Sequence, residues 1–476
     1  MTSDKFRHQL RHEAQIWQAE GLIDELQYEQ LSQRYQFNTL DSTARNSFIA
    51  ILVGLGSILI GLGIITFVAA NWQELPRLGK VTLLLSLFIS VNIAGFWLWK
   101  HPKESRQRLG HGLLLLGALV LGANMGLMGQ IFHIDAPFYE LLFAWGIGVL
   151  AMAYSLRLTS LGVLSIILLW LGYWGYWGSA IAQNWSTAMT EVTWSSLMGQ
   201  HLPLLSVVLF IPLAYWCRSG WIFALGAIAI ITSLEANIQP FIWGTFQRGW
   251  VTSIAFALPA ALLWSYDDSP LVHGNFLRLY RHDRHFRFGS FQAIARNLAL
   301  FTLGVLFIFA ATTAFWDSLA QSSEYIPSRQ NQLLLIDAVV LTGIAIWQWI
   351  GLIASHRRRR QQNVTTIVVG VFICIVAIVT FWHIEVTNIT SFATFIFNVM
   401  LFLFAAGLIR TGLAKGGRRA FWGGMLLLSL RIFYVFLLSA TGLLFKSFIF
   451  ILCGIGVMAV GLWFERHIRI NYPAKS

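Results

Sequence analysis

The chain reads VTLLLSLFISVNIAGFWLW at residues 81–99, KHPKESRQRLGH at 100–111 and GLLLLGALVLGANMGLMGQIF at 112–132. Two apolar runs, each near the roughly 20 residues of helix that cross a hydrocarbon core, flank a short stretch bearing Lys100, Lys103, Arg106 and Arg108. Inside a bilayer the backbone must satisfy its own hydrogen bonds, so such runs fold as helices. This alternation of span, basic loop and span decides the fold class: an all-α, polytopic membrane protein.

Working outward, the same scan finds fourteen expected spans. They are 48–70, 81–99, 112–132, 141–156, 158–178, 202–216, 221–238, 249–265, 298–316, 333–355, 364–382, 389–409, 420–438 and 443–464. The domain organisation that follows is a cytoplasmic helical hairpin with linker (1–47), a first membrane region (48–265) and a basic cytoplasmic loop (266–297). A second membrane region (298–464) and a cytoplasmic tail (465–476) complete it. No cleavable signal peptide is expected, because residues 1–47 are polar and lack an early apolar core.

Composition supports this class. Hydrophobic residues make up 57% and charged residues 11%, against about 25% charged in soluble chains. Mean hydropathy is +0.64. Cys217, Cys374 and Cys453 form no CxxC spacing, so neither a zinc site nor a redox pair is indicated. The net charge of +12 is not a nucleic-acid footprint, because of where the basic residues fall. With the N-terminus inside, all 33 Lys and Arg lie on inner segments except Arg77, Lys80, Arg248 and Arg329 outside and Arg431 and Lys446 within spans. One crossing more or fewer would invert the later loops, so an even number with both termini cytoplasmic is expected.

Residues 4–35 read as two helices. Phe6, Leu10, Ala14 and Trp17 share a stripe of the first, and Gly21 can end it in the left-handed conformation with Leu22 following. Asp24 with Gln27 forms a capping box for the second, with Ile23 and Tyr28 as its staple. So small a hairpin needs a docking surface, on the membrane domain or on a protein partner. His8 and His12 lack a third metal ligand, and the arginine steps in 266–297 suit an anionic lipid surface. Tyr173, Trp174, Tyr176, Trp177, Trp316 and Trp382 read as interfacial anchors. No phosphate loop, zinc motif, nucleophile elbow or dinucleotide fingerprint occurs, so no cofactor or metal is implied.

WQAEGLIDELQ (17–27), GLGIITFVAANWQELPR (61–77), LGALVLGANMGLMGQIFHI (116–134) and WGIGVLAMAYSLRLTSL (145–161) carry a resemblance. So does the C-terminal LRIFYVFLLSATGLLFKSFIFILCGIG (430–456). In these stretches the chain resembles the bacterial multi-pass membrane proteins grouped as domain of unknown function 2157. The resemblance implies a bacterial inner (plasma) membrane protein with a short N-terminal cytoplasmic module, and no known activity or catalytic residue.

Laid on the topology, Asn71, Trp72, Gln130, His133 and Glu140 gather at the outer face, as caps and anchors or as a polar vestibule. Ionisable groups within spans cost about 2.5–3.5 kcal/mol each at a helix centre. Asp337, Arg431 and Lys446 stand out, all in the outer half. Either Asp337 pairs with Arg431 in a substrate-binding site, or the three stand apart with Arg431 held by backbone carbonyls. Asn92, Asn124 and Asn398 read as interhelical bonds, and Pro203, Pro212 and Pro259 can break helices.

Three functions fit. The first is a transporter or permease-like protein for a small or amphipathic molecule, with a polar site in the outer half. The second is a scaffold or sensor working through the hairpin. The third is an intramembrane enzyme on lipid-linked substrates, for which the adjacent acidic pair Asp267–Asp268 on the long inner loop is the candidate. The motif content favours a non-enzyme, and the partners implied are the lipid bilayer and a protein at the hairpin.

Overall fold

The computed structural model describes residues 4–35, 37, 76–182, 193–243, 248–268, 291–321, 334–359, 364–415 and 417–438, with isolated residues beyond. All regular structure among them is helical. Contacts divide the chain at Leu87 into two units.

In the first unit, helices α1 (Asp4–Ala19) and α2 (Glu25–Tyr35) form the expected hairpin. Gly21 takes φ +72°, Leu22 N–H reaches the Trp17 carbonyl at 2.8 Å and Gly21 N–H reaches Gln18 at 3.2 Å. That is the left-handed cap in which two orphan carbonyls are satisfied. Asp24 Oδ1 accepts from Gln27 N–H at 2.7 Å, and Gln27 Oε1 accepts from Asp24 N–H at 3.0 Å. Ala14 and Phe37 are buried beneath Leu10, Trp17, Ile23, Tyr28 and Leu31, so the stripe and staple residues share one small core.

Helix α3 (Arg77–Trp99) straddles the division. The second unit continues with α4 (Glu104–Ile131), α5 (Phe138–Leu156), α6 (Thr159–Ala182), α7 (Trp194–Gln200), α8 (Leu202–Trp216), α9 (Gly220–Trp243) and α10 (Arg248–Ser265). Then come α11 (Phe291–Ala310), α12 (Thr313–Ala320), α13 (Leu334–Arg359), α14 (Val364–Phe381), α15 (Thr390–Lys415) and α16 (Arg418–Leu438). A π-helical turn, Trp382–Val386, extends α14.

Sequential helices pack as antiparallel pairs, most extensively α5 with α6, α8 with α9 and α15 with α16. Two of the tight turns place a lone arginine in the left-handed conformation, Arg157 at φ 57° and Arg218 at φ 51°. Arg157 lies over the Trp216 ring at 4.2 Å, and Trp216 Nε1 donates to the Tyr154 carbonyl, which ties the two turns together. Helix α10 is the hub: it packs against α9, α11, α13 and α14 and buries most of its length. Elsewhere, large apolar side chains such as Phe301, Trp347 and Phe395 are exposed, a surface suited to lipid and not to water.

Nine helices among the described residues are long and apolar enough to cross a membrane, or ten if the bent pair α7–α8 is one span. The protein is therefore an integral multi-pass membrane protein, with nine or ten candidate spans among the described residues against the fourteen expected over the whole chain. The expected spans at 48–70 and 443–464 lie outside the described residues. The expected span 249–265 is present as α10, which is not among the nine; shelter on several flanks lets it carry Arg248, Thr252 and Ser253. Span 202–216 is not self-contained, since its axis turns by 80° at His201 into α7. Span 298–316 is interrupted at Ala311–Thr312.

Candidate functional site

Both helix breaks receive a polar residue from another helix. Pro203 stands at the start of α8, where a missing N–H costs nothing, and α7 ends at His201. Thr193 caps α7 with a reciprocal Thr193–Ser196 box. Ser195 Oγ donates to Glu140 Oε1 at 2.6 Å. At the far end of α7, His201 Nδ1 meets Asp337 Oδ1 at 2.8 Å, and Asp337 is fully buried. Asn237 Nδ2 donates to the Gln200 carbonyl at 2.6 Å, and Tyr173 Oη donates to Asn237 Oδ1 and the Ser233 carbonyl, each at 2.9 Å. Five helices thus meet in one polar seam about α7, a helix about 10 Å long at 1.5 Å per residue.

The second break leaves carbonyls that no helix donor reaches, and side chains take them. Arg431 donates through Nε to Asn398 Oδ1 at 2.9 Å and through a terminal nitrogen to the Ala311 carbonyl at 2.8 Å. Asn398 Nδ2 donates to the same carbonyl at 2.9 Å, and Trp316 Nε1 donates to Ala310 at 2.6 Å. The short helix α12 beyond the break is tied down further. His383, in the π turn, bonds the Trp316 carbonyl at 3.0 Å, while Arg248 donates to the carbonyls of Leu319 and Gln321. Glu385 Oε1 accepts from Gly249 N–H at 2.8 Å.

Of the residues singled out in the sequence, Asp337 and Glu140 are brought to opposite ends of α7. Asp337 and Arg431 are not paired: each has its own partners, at a different break. Asp337 lies instead in a seam with a second carboxylate, Glu140, and a histidine, His201. Arg431 is held as the alternative reading has it, by a backbone carbonyl. Lys446, Asn71 and Trp72 lie outside the described residues. Gln130, in the last turn of α4, and His133, in the turn after it, are exposed. His133 holds φ 54° while its N–H reaches the Gln130 carbonyl and Ile134 N–H reaches Gly129, so the pair terminates a helix. The reading of Tyr173, Tyr176, Trp177 and Trp316 as interfacial anchors is corrected: all four are buried, because their polar tips find carbonyl or side-chain partners inside. Asp268 accepts from Tyr215 Oη at 2.5 Å and from Gln292 N–H, so it serves as a clamp at the other end of α8. Burial pushes the neighbouring Tyr266 phenol up.

His201, Gln200 and Asn237 are absent from the sequence reading, although Pro203 marks the break beside them. Glu235, inside the expected span 221–238, is missing from the intramembrane charges named there. No group of three or more potential metal ligands occurs among the described residues.

Comparisons with known proteins bear on this site only in part. Over 81 residues, 17% of this chain and 71% of the relative, it is 27% identical to the probable 4-amino-4-deoxy-L-arabinose-phosphoundecaprenol flippase subunit ArnE of Klebsiella pneumoniae (strain 342). No solved structure matches. Residues 15–162, which include Glu140 and the whole of α4 and α5, match the family described as "Predicted membrane protein (DUF2157)".

Proposed function

We propose that this protein moves a small or amphipathic molecule across the membrane, along a path that includes the break at His201. The observation that carries the reading is the 80° turn between α7 and α8 with Asp337 bonded to His201 at its corner. Irregular backbone at membrane depth is tolerated where it is buried in protein or lines a cavity, and discontinuous helices recur at transporter sites. The partial likeness to a flippase subunit supports the same class. The reading includes the topology of the charge pattern: fourteen spans, both termini cytoplasmic, in a bacterial inner membrane.

The test is reconstitution in liposomes containing a fluorescent phospholipid, with outer-leaflet label destroyed by a reductant. Protein-bearing vesicles should lose label from both leaflets, and His201→Ala and Asp337→Asn should slow this by about tenfold or more, the loss of one charge-assisted bond. Wild-type vesicles behaving like empty ones would remove the support for this reading. The scaffold reading is favoured by one observation: Leu22 and Leu26 on the hairpin are about two-thirds exposed, 67% and 70%. Capture of one defined partner by the full chain, abolished by Leu26→Glu, would favour that reading.

A further inference from the structure

Glu235 lies on α9, sixteenth of its 24 residues, about 22 Å from the start at 1.5 Å per residue. No charged or hydrogen-bonding partner touches its carboxyl among the described residues. Instead it lines a cavity of about 370 Å³ bounded by α9, α10, α11 and α12. Four phenylalanines, Phe256, Phe301, Phe309 and Phe315, form much of the wall, and Thr302 is the one other polar side chain there. Phe301 and Phe309 are exposed on the membrane-facing side of α11, at 68% and 60%, so the cavity opens sideways toward acyl chains. No basic residue lines it. A larger apolar cavity between α10, α13 and α14, about 470 Å³, has no ionisable group at all.

A carboxyl in hydrocarbon surroundings is expensive to keep without a partner or a function. Aromatic faces attract cations and repel anions through their quadrupoles. A carboxyl that can ionise, aromatic walls and a lateral opening together select one ligand class. We propose that this cavity binds a lipophilic cation, an ammonium or phosphonium centre on an apolar body, with Glu235 as its counter-charge and the phenylalanine rings around it. The site is separate from the His201 seam and does not depend on whether the protein transports anything.

The test uses full-length protein in lipid nanodiscs and two probes of matched shape and opposite charge. Dicyclohexylcarbodiimide, an apolar reagent for membrane carboxyls, should modify Glu235, as read by peptide mass spectrometry. Tetraphenylphosphonium should slow that modification about tenfold or more, and tetraphenylborate should not, because charge sign is the discriminator. Glu235→Gln should abolish saturable phosphonium binding while leaving the elution profile unchanged. Modification that tetraphenylphosphonium leaves unaltered, or that both ions slow equally, overturns the proposal, as does absence of any modification. The wild-type labelling result decides the matter even if Glu235→Gln fails to fold.

Discussion

Removing His201 should harm this protein more than removing the carboxylate it holds. Asp337 is fully buried, and its second oxygen has no donor, so the 2.8 Å contact with His201 is its one side-chain bond. His201 keeps 27% of its side chain exposed and can be solvated when the carboxylate is gone. His201→Ala therefore strands a buried charge, a class of change that costs about 3–5 kcal/mol. Asp337→Leu loses one bond to a charged group, about 1.5–3 kcal/mol, but also lifts the cost of holding a carboxylate in the membrane, about 2.5–3.5 kcal/mol. Its net effect should lie between about 2 kcal/mol stabilising and about 0.5 kcal/mol destabilising. The double variant should resemble Asp337→Leu alone, so the interaction energy between the two sites should equal the cost of His201→Ala, about 3–5 kcal/mol. Titration with dodecyl sulfate in mixed micelles, followed by the fluorescence of the 21 tryptophans, measures all four proteins. Equal costs for the two single changes, or an additive double variant, would refute this account of the break.

Three further outcomes are expected. Burial pushes the Cys217 thiol up to about 11, against a smaller opposite pull from Arg157. With Cys374 and Cys453 replaced by serine, its alkylation should then rise about tenfold per pH unit from 7 toward 11, since the thiolate is the nucleophile; a plateau by pH 9 would contradict it. A Cβ on Gly412 would lie 2.6 Å from the Phe421 backbone nitrogen, so Gly412→Val should part α15 from α16 and lower stability by about 1–3 kcal/mol in the same titration. Reporter fusions after residues 107, 190, 280, 323 and 475 should read in, out, in, out, in; an outer location for residue 280 would break the charge-based topology.

The helices are legible from sequence because hydrophobic length and charge placement are local properties. The same holds for the Asp24 capping box and the Gly21 turn, whose partners lie within five residues. What joins distant helices is not written locally. His201 and Asp337 are 136 positions apart, and Arg431 reaches a carbonyl 120 positions away. A helix apolar on every side, such as α8, does not show which face meets lipid and which meets protein. That is why Tyr173 and Trp316 read as anchors while the structure buries them. Pro203 does announce a break. ATTAFW holds local signals of the one at Ala311, with Thr312 capping the next helix and Trp316 reaching the Ala310 carbonyl, but the Ala311 carbonyl is satisfied by residues that come much later in the chain.

The position of α10 bears on how the chain is assembled. Of its four helical neighbours, α9 alone precedes it; α11, α13 and α14 leave the ribosome afterwards. When α10 emerges it carries an arginine and several hydroxyls but has company on one flank only. The carbonyls that receive Arg248 at Leu319 and Gln321 do not yet exist, nor does Glu385, which caps Gly249. A chain stalled before residue 319 should therefore hold α10 against the translocon or a membrane chaperone and be degraded if released. Insertion of this protein is expected to be completed from its C-terminal half inward, with its middle helix the last to settle.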